Sequence, residues 1–488
     1  MSWFSTSWIS WSWFPWSWAS FLEFTEWFFL FYFIAISTGY LALNFICMLS
    51  LRKSIPAGVL DDMPQVYSGL EPPVTIIVPA YNEQPTITAS VRSLLHMNYP
   101  TLEIVIVNDG STDDTLAELK QSLTLVPFPE AYRNRLATKP VHAVYISLQY
   151  PNIRVVDKEN GGKADSINVG INAARYPLFC VVDADGVLQS DSLRKVVQPF
   201  LEDKRVVAAG GTVRIVNGCT INSGFIRKIG LPDSWLAMMQ VVEYSRAFLM
   251  GRLGWSAING LLIISGAFGV FHKETAIEVG GFRHDTVGED MELVIRMHRI
   301  LRQQKRAYRV VFRPDPIVWT EAPESLRVLG GQRTRWQRGL AESLVSNFGL
   351  MFSRNGGVPG WVAFPFMIIF EWLGPFVEVA GYLLMIVFFW LGYIKWPIFL
   401  VFLFAAIGLG ILVSISSLML ESLNSNHYDK PSQMVGLICA SVMENFGYRQ
   451  INSVWRLMGL FQWMFGRKGK WGEMRRTGDW QEEAIERT

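Results

Sequence analysis

Two aspartates, Asp183 and Asp185, stand one residue apart directly after the apolar run 178–182, which predicts a buried strand. In an extended backbone, side chains two positions apart point to the same side, so the two carboxylates would face one point. Hard oxygen ligands in this arrangement suit a divalent cation that also holds substrate phosphates. The alternative is a solvated pair of turn aspartates, and the surrounding residues decide between the two interpretations.

Three other apolar runs of the same region also end in polar residues. They lie within 74–83, 102–114 and 153–174, and the last continues through a glycine turn into a predicted helix. Alternating strands and helices predict a mainly parallel sheet with flanking helices, an α/β domain that binds ligands at the carboxyl edge of its strands. Asp109 and Lys163 would lie at that edge together with the aspartate pair.

Each of these two polar residues also has a structural interpretation. Asp109 begins the stretch DGSTDD and is suited either to hydrogen-bond a ligand or to cap the helix that follows. Lys163 follows Gly161 and Gly162, where its ammonium is suited to a phosphate, and the alternative is a solvated lysine at a turn. Their predicted meeting at one sheet edge favours ligand binding for both.

A further acidic pair, Glu289 and Asp290, begins an apparent helix in the stretch GEDMELVIRMHRI. Carboxylates at a helix amino terminus compensate the helix dipole, which is one interpretation. The other is that Asp290 is a general base that deprotonates an acceptor hydroxyl. A single displacement needs one such carboxylate opposite the leaving group and no covalent nucleophile. The other motifs favour the general base.

Six motifs follow one another along residues 72–345, namely VPAYNE, VNDGSTDDT, NGGKADSINVG, VVDADG, GEDMEL and QRTRW. In this order they resemble the motifs of the inverting family-2 glycosyltransferases with the GT-A fold. The last, at 332–336, resembles the Q-x-x-R-W motif of the membrane-embedded branch that includes cellulose, hyaluronan and poly-N-acetylglucosamine synthases. The stretches 119–152 and 217–258 carry no such motif, and the second indicates a helical insertion.

The resemblance implies a substrate, a cofactor and a role for each motif residue. The donor would be a nucleotide diphosphate sugar such as a UDP-sugar, with Mg²⁺ or Mn²⁺ as a Lewis acid on the departing diphosphate. The stretch IISGAFGVF at 263–271 favours an N-acetylhexosamine, and the alternative is a tight glycine turn beneath the acceptor. Asp290 would be the catalytic base. The donor would be bound by Asp109, Lys163, Asp183, Asp185 and Arg335, the metal by Asp183 and Asp185, and the acceptor by Gln332, Trp336 and Glu289.

The Q-x-x-R-W motif lies in a helical stretch that begins near Ser325. Trp336 is suited to stack on a sugar face, and Arg335 to pair with phosphate. The alternative is an interfacial amphipathic helix whose arginines lie among lipid headgroups. Arg333 and Arg338 fit that interfacial role better.

Composition limits the classes of protein to which this chain can belong. The chain has 488 residues and a net charge of +2, so nothing indicates nucleic acid as a partner. Hydrophobic residues make up 50% and gather in long blocks, which indicates one part in water and another in a membrane. The four cysteines lie far apart, without the spacing of a metal site or a disulfide framework.

The amino-terminal part predicts an anchor followed by a membrane crossing. Residues 1–25 are rich in tryptophan and serine, which suits the membrane interface, and the alternative is a set of sugar-stacking platforms near an exit. Residues 26–51 predict a transmembrane helix. Arg52 and Lys53 follow at once, so the positive-inside rule places the amino terminus outside and the catalytic domain in the cytoplasm.

The carboxyl-terminal part, 361–465, predicts interfacial and transmembrane helices, with crossings at about 375–394 and 396–420. The segment 432–465 mixes charged and aromatic residues and indicates an interfacial helix, and the alternative is a further crossing. A basic tail, 466–488, should be cytoplasmic, which requires an even number of crossings after the catalytic domain. We therefore predict a multi-pass protein of the inner cell membrane.

These features together predict an inverting, metal-dependent hexosyltransferase that extends a β-linked polysaccharide, processively and with export. One alternative is transfer of a single sugar to a lipid acceptor, as in ceramide glucosyltransferase-like proteins. Another is an inactive scaffold subunit, against which the intact set of carboxylates argues. The predicted partners are the nucleotide sugar, a polysaccharide or lipid acceptor, membrane lipids, and a second copy or an export protein that completes a channel.

Overall fold

The computed structural model describes residues 18–61, 69–129, 132–183, 186–222, 225–424, 428 and 430–466. Three predicted features lie outside these residues. They are the tryptophan- and serine-rich sequence before residue 18, the second aspartate of the pair, Asp185, and the basic tail from residue 467 onward.

One mixed sheet forms the centre of the α/β domain. Ten of the strands in the described residues lie side by side in the order β3-β4-β5-β2-β1-β6-β11-β8-β12-β7, and β9 and β10 form a separate two-stranded ribbon. The strands are β1 (Val74–Ala80), β2 (Leu102–Asn108), β3 (Leu125–Pro127), β4 (Val141–Ser147), β5 (Ile153–Lys158), β6 (Leu178–Val182), β7 (Val187–Leu188), β8 (Val206–Ile215), β9 (Thr220–Asn222), β10 (Phe225–Lys228), β11 (Phe268–His272) and β12 (Arg309–Thr320).

Helices cover the sheet and continue into an apolar region at both ends of the chain. They are α1 (Trp18–Asp61), α2 (Ile87–Leu95), α3 (Thr115–Ser122), α4 (Lys163–Ala173), α5 (Ser192–Glu202), α6 (Trp235–Tyr244), α7 (Arg252–Ala257), α8 (Lys273–Glu278), α9 (Glu289–Gln303), α10 (Leu326–Ser346), α11 (Phe364–Phe366), α12 (Gly374–Trp390), α13 (Trp396–Leu403), α14 (Leu409–Asn424), α15 (Pro431–Met443) and α16 (Arg449–Met464). Short π-helical segments at Ser245–Gly251, Pro359–Ala363, Met367–Trp372, Phe404–Gly408 and Glu444–Tyr448 join several of them.

The centre of the sheet is parallel, as the sequence predicts. Strands β5, β2, β1 and β6 are neighbours and run in one direction. These strands are buried along nearly their whole length, which is why each is a continuous apolar run rather than an alternating one. The next strands on either side, β4 and β11, are antiparallel to their neighbours. The polar residues that follow the four central strands therefore meet at one edge.

Helix α4 lies very close to β1 because Gly170 faces that strand. A Cβ atom at Gly170 would lie 2.3 Å from a side-chain carbon of Ile77, so any larger residue would force the helix away. This contact fixes the first residue of the helix, Lys163, at the carboxyl edge of the sheet.

The stretch 217–258 is only partly helical, contrary to the prediction. Its first part forms the ribbon of β9 and β10, and α6 and α7 follow, joined by the segment Ser245–Gly251. The ribbon begins at Gly218, where φ is +83° and a Cβ atom would lie 2.2 Å from the carbonyl oxygen of Leu231. Strands of three and four residues are too short for periodicity to distinguish them from a helix.

Two or three apolar helices form the transmembrane region. In the described residues, Ser20–Leu51 and Trp396–Ser422 are long and apolar enough to cross a membrane. Pro359–Trp372 and Gly374–Trp390 meet at 42° and supply a third crossing if the bent pair is one span. The predicted crossing at 375–394 corresponds to the second half of that pair.

Candidate active site

Asp109 holds the glycine turn that precedes α4. It is buried and accepts hydrogen bonds from the backbone amides of Gly161 (3.0 Å) and Gly162 (2.8 Å). Its Oδ1 also lies 2.5 Å from the ammonium of Lys158, a side chain with no exposed surface. Both carboxylate oxygens therefore brace the turn that carries Lys163. The predicted contact of Asp109 with the base or ribose of a donor stays a prediction.

Lys163 and Asp183 meet at the carboxyl edge, with 2.5 Å between Nζ and Oδ1. The carboxylate of Glu289 lies 3.9 Å from the same ammonium. Burial acts to lower the pKa of Lys163, but the charges of Asp183, Glu289 and Asp290 outweigh it and leave that pKa above its ordinary value. Lys163 is therefore a fixed cation within a cluster of carboxylates.

Glu289 is a carboxyl group with a strongly altered proton affinity. Only 8% of it is exposed. Burial raises the pKa of Glu289 to about 7, and the negative charges of Asp290 and Asp183 act in the same direction, whereas Lys163 lowers it. Glu289 therefore changes its charge near neutral pH, unlike an ordinary glutamate.

Asp290 is held by two backbone amides at the start of α9. Its Oδ2 accepts a hydrogen bond from Gly266 (2.8 Å), and its Oδ1 accepts one from Met291 (2.7 Å). A Cβ atom at Gly266 would lie 3.3 Å from Asp290 Oδ2 and 3.5 Å from Lys163 Nζ. The glycine of the S-G-x-x-G stretch thus lies between the carboxylate and the cation, and one pocket is lined by Lys163, Gly266, Glu289 and Asp290.

The Q-x-x-R-W residues lie on α10, close to this pocket. Burial lowers the pKa of Arg335, while the nearby charge of Glu289 raises it. Trp336 is 38% exposed, and its ring meets that of Phe248 edge to face at 5.9 Å. Gln332 is buried, and its Oε1 has no hydrogen-bond partner among the described residues. Trp336 therefore offers the larger open surface to a ligand.

The prediction that Arg333 serves the lipid interface is wrong. Its side chain is buried, pairs with Glu243 at 2.7 Å and lies over the ring of Trp336 at 4.4 Å from the centroid. The hydroxyl of Tyr448 donates a second hydrogen bond to Glu243, at 2.6 Å. Glu243, a residue of another helix, neutralises and anchors Arg333. The anchored guanidinium in turn holds the ring of Trp336 in place.

Of the two predicted metal ligands, only one lies in the described residues, and its position suits a divalent cation. Asp183 ends a central strand with its side chain 31% exposed beside the pocket, and Asp185 lies outside the described residues. Within the described ranges, no group of three or more His, Cys, Asp and Glu side chains is arranged to hold a metal. A single exposed carboxylate suits Mg²⁺ or Mn²⁺ shared with substrate phosphates, since such ions use one or two protein carboxylates.

Three residues of this site carried no recognised motif signal. Lys158 is a lysine within a buried strand, a pattern that indicates a carboxylate partner and is readable from the sequence. Glu243 and Phe248 lie in the stretch without motifs, and nothing in their spacing relates them to a helix that begins at Leu326.

Two family models match the chain. Residues 75–244 match the model described as glycosyl transferase family 2, and residues 178–414 match the model described as glycosyl transferase family group 2. The two ranges contain every residue that the sequence assigns to donor, metal, base or acceptor.

Curated proteins of known name are also similar to this chain. The poly-beta-1,6-N-acetyl-D-glucosamine synthase of Staphylococcus aureus (strain COL) is 28% identical over 275 residues, 56% of each chain. The enzyme of the same name from Staphylococcus epidermidis is 27% identical over 276 residues, again 56% of each. The chain thus spans just over half the length of these relatives.

Two solved structures are similar to the chain at low identity. A mannosyltransferase from Pyrobaculum calidifontis, in complex with GDP-Man and Mn²⁺, is 16% identical with a TM-score of 0.46, covering 89% of this chain and 100% of its own. Glucosyl-3-phosphoglycerate synthase from Mycobacterium tuberculosis is 16% identical with a TM-score of 0.35, covering 58% and 81%.

Proposed function

We propose that the chain is a family-2 glycosyltransferase with a GT-A-type fold and that it adds sugars from a nucleotide diphosphate sugar to a β-linked polysaccharide at the membrane. The observation that carries this proposal is the pocket lined by Lys163, Gly266, Glu289 and Asp290. It combines a cation for phosphate with a held carboxylate for a hydroxyl. The exposed ring of Trp336 adds a surface for a sugar.

The donor diphosphate lies at the cationic side of this pocket. Lys163 and Arg335 supply positive charge to its oxygens, and Asp183 and Asp185 are the residues that would hold Mg²⁺ or Mn²⁺. When bound, the metal offsets the negative charge that grows on the departing nucleoside diphosphate. Asp109 keeps the glycine turn in the shape that presents Lys163 to the phosphates.

The chemical step is a single displacement with inversion. Asp290 accepts the proton of an acceptor hydroxyl, and the acceptor oxygen forms a bond to the anomeric carbon of the donor sugar. The bond from that carbon to the diphosphate oxygen breaks, and the nucleoside diphosphate leaves with the electron pair. The amides of Gly266 and Met291 fix the direction of the Asp290 carboxylate before the proton arrives.

The acceptor end of the polymer lies against α10. Trp336 stacks on a sugar ring, while Gln332 and Glu289 bind its polar groups. Arg333 prevents the tryptophan from turning away, because it is itself anchored to Glu243. A polymer held in this way remains bound between successive additions, which supports a processive enzyme.

The donor sugar we propose is N-acetylglucosamine. Two observations support it, namely the 28% identity to poly-beta-1,6-N-acetyl-D-glucosamine synthase and the S-G-x-x-G form of residues 265–269. We also propose a multi-pass protein of the inner membrane with its catalytic domain in the cytoplasm, because Arg52 and Lys53 follow the first apolar span.

The test is to supply the purified full-length protein, in lipid nanodiscs, with labelled UDP-N-acetylglucosamine and Mg²⁺ or Mn²⁺. We expect a labelled polymer that a β-1,6-specific hexosaminidase degrades, and no polymer in excess chelator. A product of one sugar on an extractable lipid would contradict a polymerase. Polymer from UDP-glucose alone would contradict the proposed donor.

A further inference from the structure

Arg252 is a buried arginine near the candidate active site for which the proposed reaction gives no role. It is the first residue of α7, and only 5% of it is exposed. Its Nη1 atom is buried and has no hydrogen-bond partner among the described residues. Burial lowers the pKa of Arg252 to about 10, while Asp290 and Tyr244 act to raise it, so the guanidinium is still charged at neutral pH. A buried donor without a hydrogen-bond partner is costly, which makes a ligand the expected partner of Nη1.

The ring contacts of Arg252 connect it to the proposed acceptor residue Trp336 and not to the proposed phosphate ligands. Its guanidinium lies over the ring of Phe248, 4.2 Å from the centroid. That ring contacts Trp336 edge to face at 5.9 Å. The carboxylate of Asp290 is the first group that opposes the effect of burial on Arg252. Arg252 is therefore joined to Trp336 of the proposed acceptor platform through the ring of Phe248, and it is close enough to the proposed base to feel its charge.

A second arginine of the same cluster, Arg333, has an ion-pair partner, whereas Arg252 has none among the described residues. Arg333 also lies over an aromatic ring, that of Trp336, and it is also buried. Arg333, however, has Glu243 at 2.7 Å as an ion-pair partner. Two buried arginines thus flank the same pair of aromatic rings, and Arg252 is the one whose Nη1 is left for a hydrogen bond.

On the basis of the proposed function, we propose that Arg252 is an acceptor-binding residue. Its guanidinium donates a hydrogen bond to an oxygen of the acceptor sugar that lies between Trp336 and Asp290. The ligand class is a neutral sugar that presents a hydroxyl or amide carbonyl oxygen. This contact holds the reacting hydroxyl beside the Asp290 carboxylate.

The experiment compares wild type with Arg252→Met and Arg252→Lys as full-length proteins in lipid nanodiscs. The donor is UDP-N-acetylglucosamine, and the probe acceptor is a β-1,6-linked N-acetylglucosamine pentasaccharide. Arg252→Met should raise the KM for the pentasaccharide roughly 10- to 100-fold, the value of one hydrogen bond to a charged group. Arg252→Lys should lie between, because it keeps the charge with a different donor geometry.

Two further readings separate this role from the alternatives. The affinity for UDP, and the hydrolysis of donor without acceptor, should stay within about twofold of wild type in both variants. The control is Arg306→Met, which removes an exposed arginine that pairs with Glu278 at 3.0 Å; its KM should not change. Thermal unfolding of Arg252→Met should match wild type, since the substitution removes a buried cation whose Nη1 has no hydrogen-bond partner among the described residues.

Three results would overturn the assignment. An unchanged KM for the pentasaccharide would exclude acceptor binding. Weaker UDP binding with that KM unchanged would make Arg252 a phosphate ligand. A shift of the acidic limb of the rate profile to higher pH, again with that KM unchanged, would make it a residue that only keeps Asp290 ionised. Failure of the wild type to transfer any sugar would instead count against the proposed function.

Discussion

The carboxylate of Asp290 is held in one orientation by the backbone amides of Gly266 and Met291. Asp290→Asn keeps the size of the side chain and removes its basicity. The transfer rate should fall roughly 10²- to 10⁴-fold, the usual contribution of a general base. Affinity for UDP, measured by calorimetry, should stay near that of wild type because the carboxylate acts on the acceptor.

The matched control for this change is Asp285→Asn. Asp285 is exposed, pairs with Arg283 and lies five positions before the base. Its variant should transfer sugar at the wild-type rate. If Asp290→Asn lost UDP binding while its rate per bound donor stayed normal, Asp290 would be a donor ligand and not the base.

Glu289 makes donor binding depend on pH. Its pKa is raised to about 7, so the carboxyl group is largely neutral at pH 6 and ionised at pH 8. Once ionised, Glu289 competes for Lys163, 3.9 Å away, and repels the diphosphate. The affinity for UDP should therefore fall between pH 6 and pH 8. In Glu289→Gln that fall should be reduced, and the UDP affinity of the variant relative to wild type should increase with pH.

Calorimetry at constant metal concentration measures this difference. Because UDP titrates itself, the informative quantity is the ratio of the variant's affinity to that of wild type at each pH. A ratio that does not change from pH 6 to pH 8 would contradict the shifted pKa. The charged groups that face Glu289 are Lys163, Asp183, Asp290 and Arg335.

The site residues that follow the central strands could be predicted from the sequence, whereas the contacts made by residues of other elements could not. Lys163 and Asp183 were predicted to meet because parallel strands end at one edge, and they lie 2.5 Å apart. Arg333 was misread, because its partner Glu243 stands 90 positions earlier in a stretch without motifs. A helical pattern reports which face is polar, but not which distant carboxylate will neutralise it.

Among the helices, α10, which carries the proposed acceptor residues Gln332 and Trp336, depends on close packing against α16. A Cβ atom at Gly459 would lie 2.4 Å from the carbonyl oxygen of Thr334, and one at Gly330 would lie 2.8 Å from the ring of Trp455. Gly459→Ala should therefore push the helices apart and reduce the stability by about 1–3 kcal/mol, as overpacking does. Thermal unfolding in nanodiscs should show a lower midpoint.

The control for this packing change lies on α10 itself. Gly331 has no atom within 4 Å of the position that a Cβ would take. Gly331→Ala should therefore leave the unfolding midpoint unchanged or raise it, since alanine is favoured over glycine in a helix by about 0.5–1 kcal/mol. Equal effects of the two substitutions would show that the contact with α16 does not matter.

Elements were predicted well where one periodicity persisted and poorly where it was broken. The four central strands were recognised because continuous apolar runs are typical of a buried parallel sheet. The ribbon of β9 and β10 was read as helix, although Ser223-Gly224 between its strands is a turn signal in the sequence. The sequence signal for the bend of 42° before α12 is limited to Gly374 and Pro375.

At the scale of the whole molecule, polar side chains connect the apolar helices to each other and to the catalytic domain. Glu444 has no exposed surface, accepts a hydrogen bond from Ser414 at 2.6 Å and pairs with Arg246. Glu371 pairs with Arg456 at 2.8 Å, and Gln337 on α10 accepts a hydrogen bond from the same arginine at 2.9 Å. Charged groups inside an apolar helical region generally mark a path for polar molecules.

This network leads to a prediction about where the product goes. A sugar polymer in hydrocarbon would leave each hydroxyl without a partner, at several kcal/mol each, so it must cross beside polar side chains. The two or three crossings among the described residues enclose little space, and a second copy or another protein would complete the wall. We expect inverted membrane vesicles, given UDP-N-acetylglucosamine outside, to accumulate polymer inside, protected from an added hexosaminidase until detergent is present. Vesicles that contain Asp290→Asn should accumulate none. Polymer that is digested without detergent would show that synthesis at this membrane is not coupled to export.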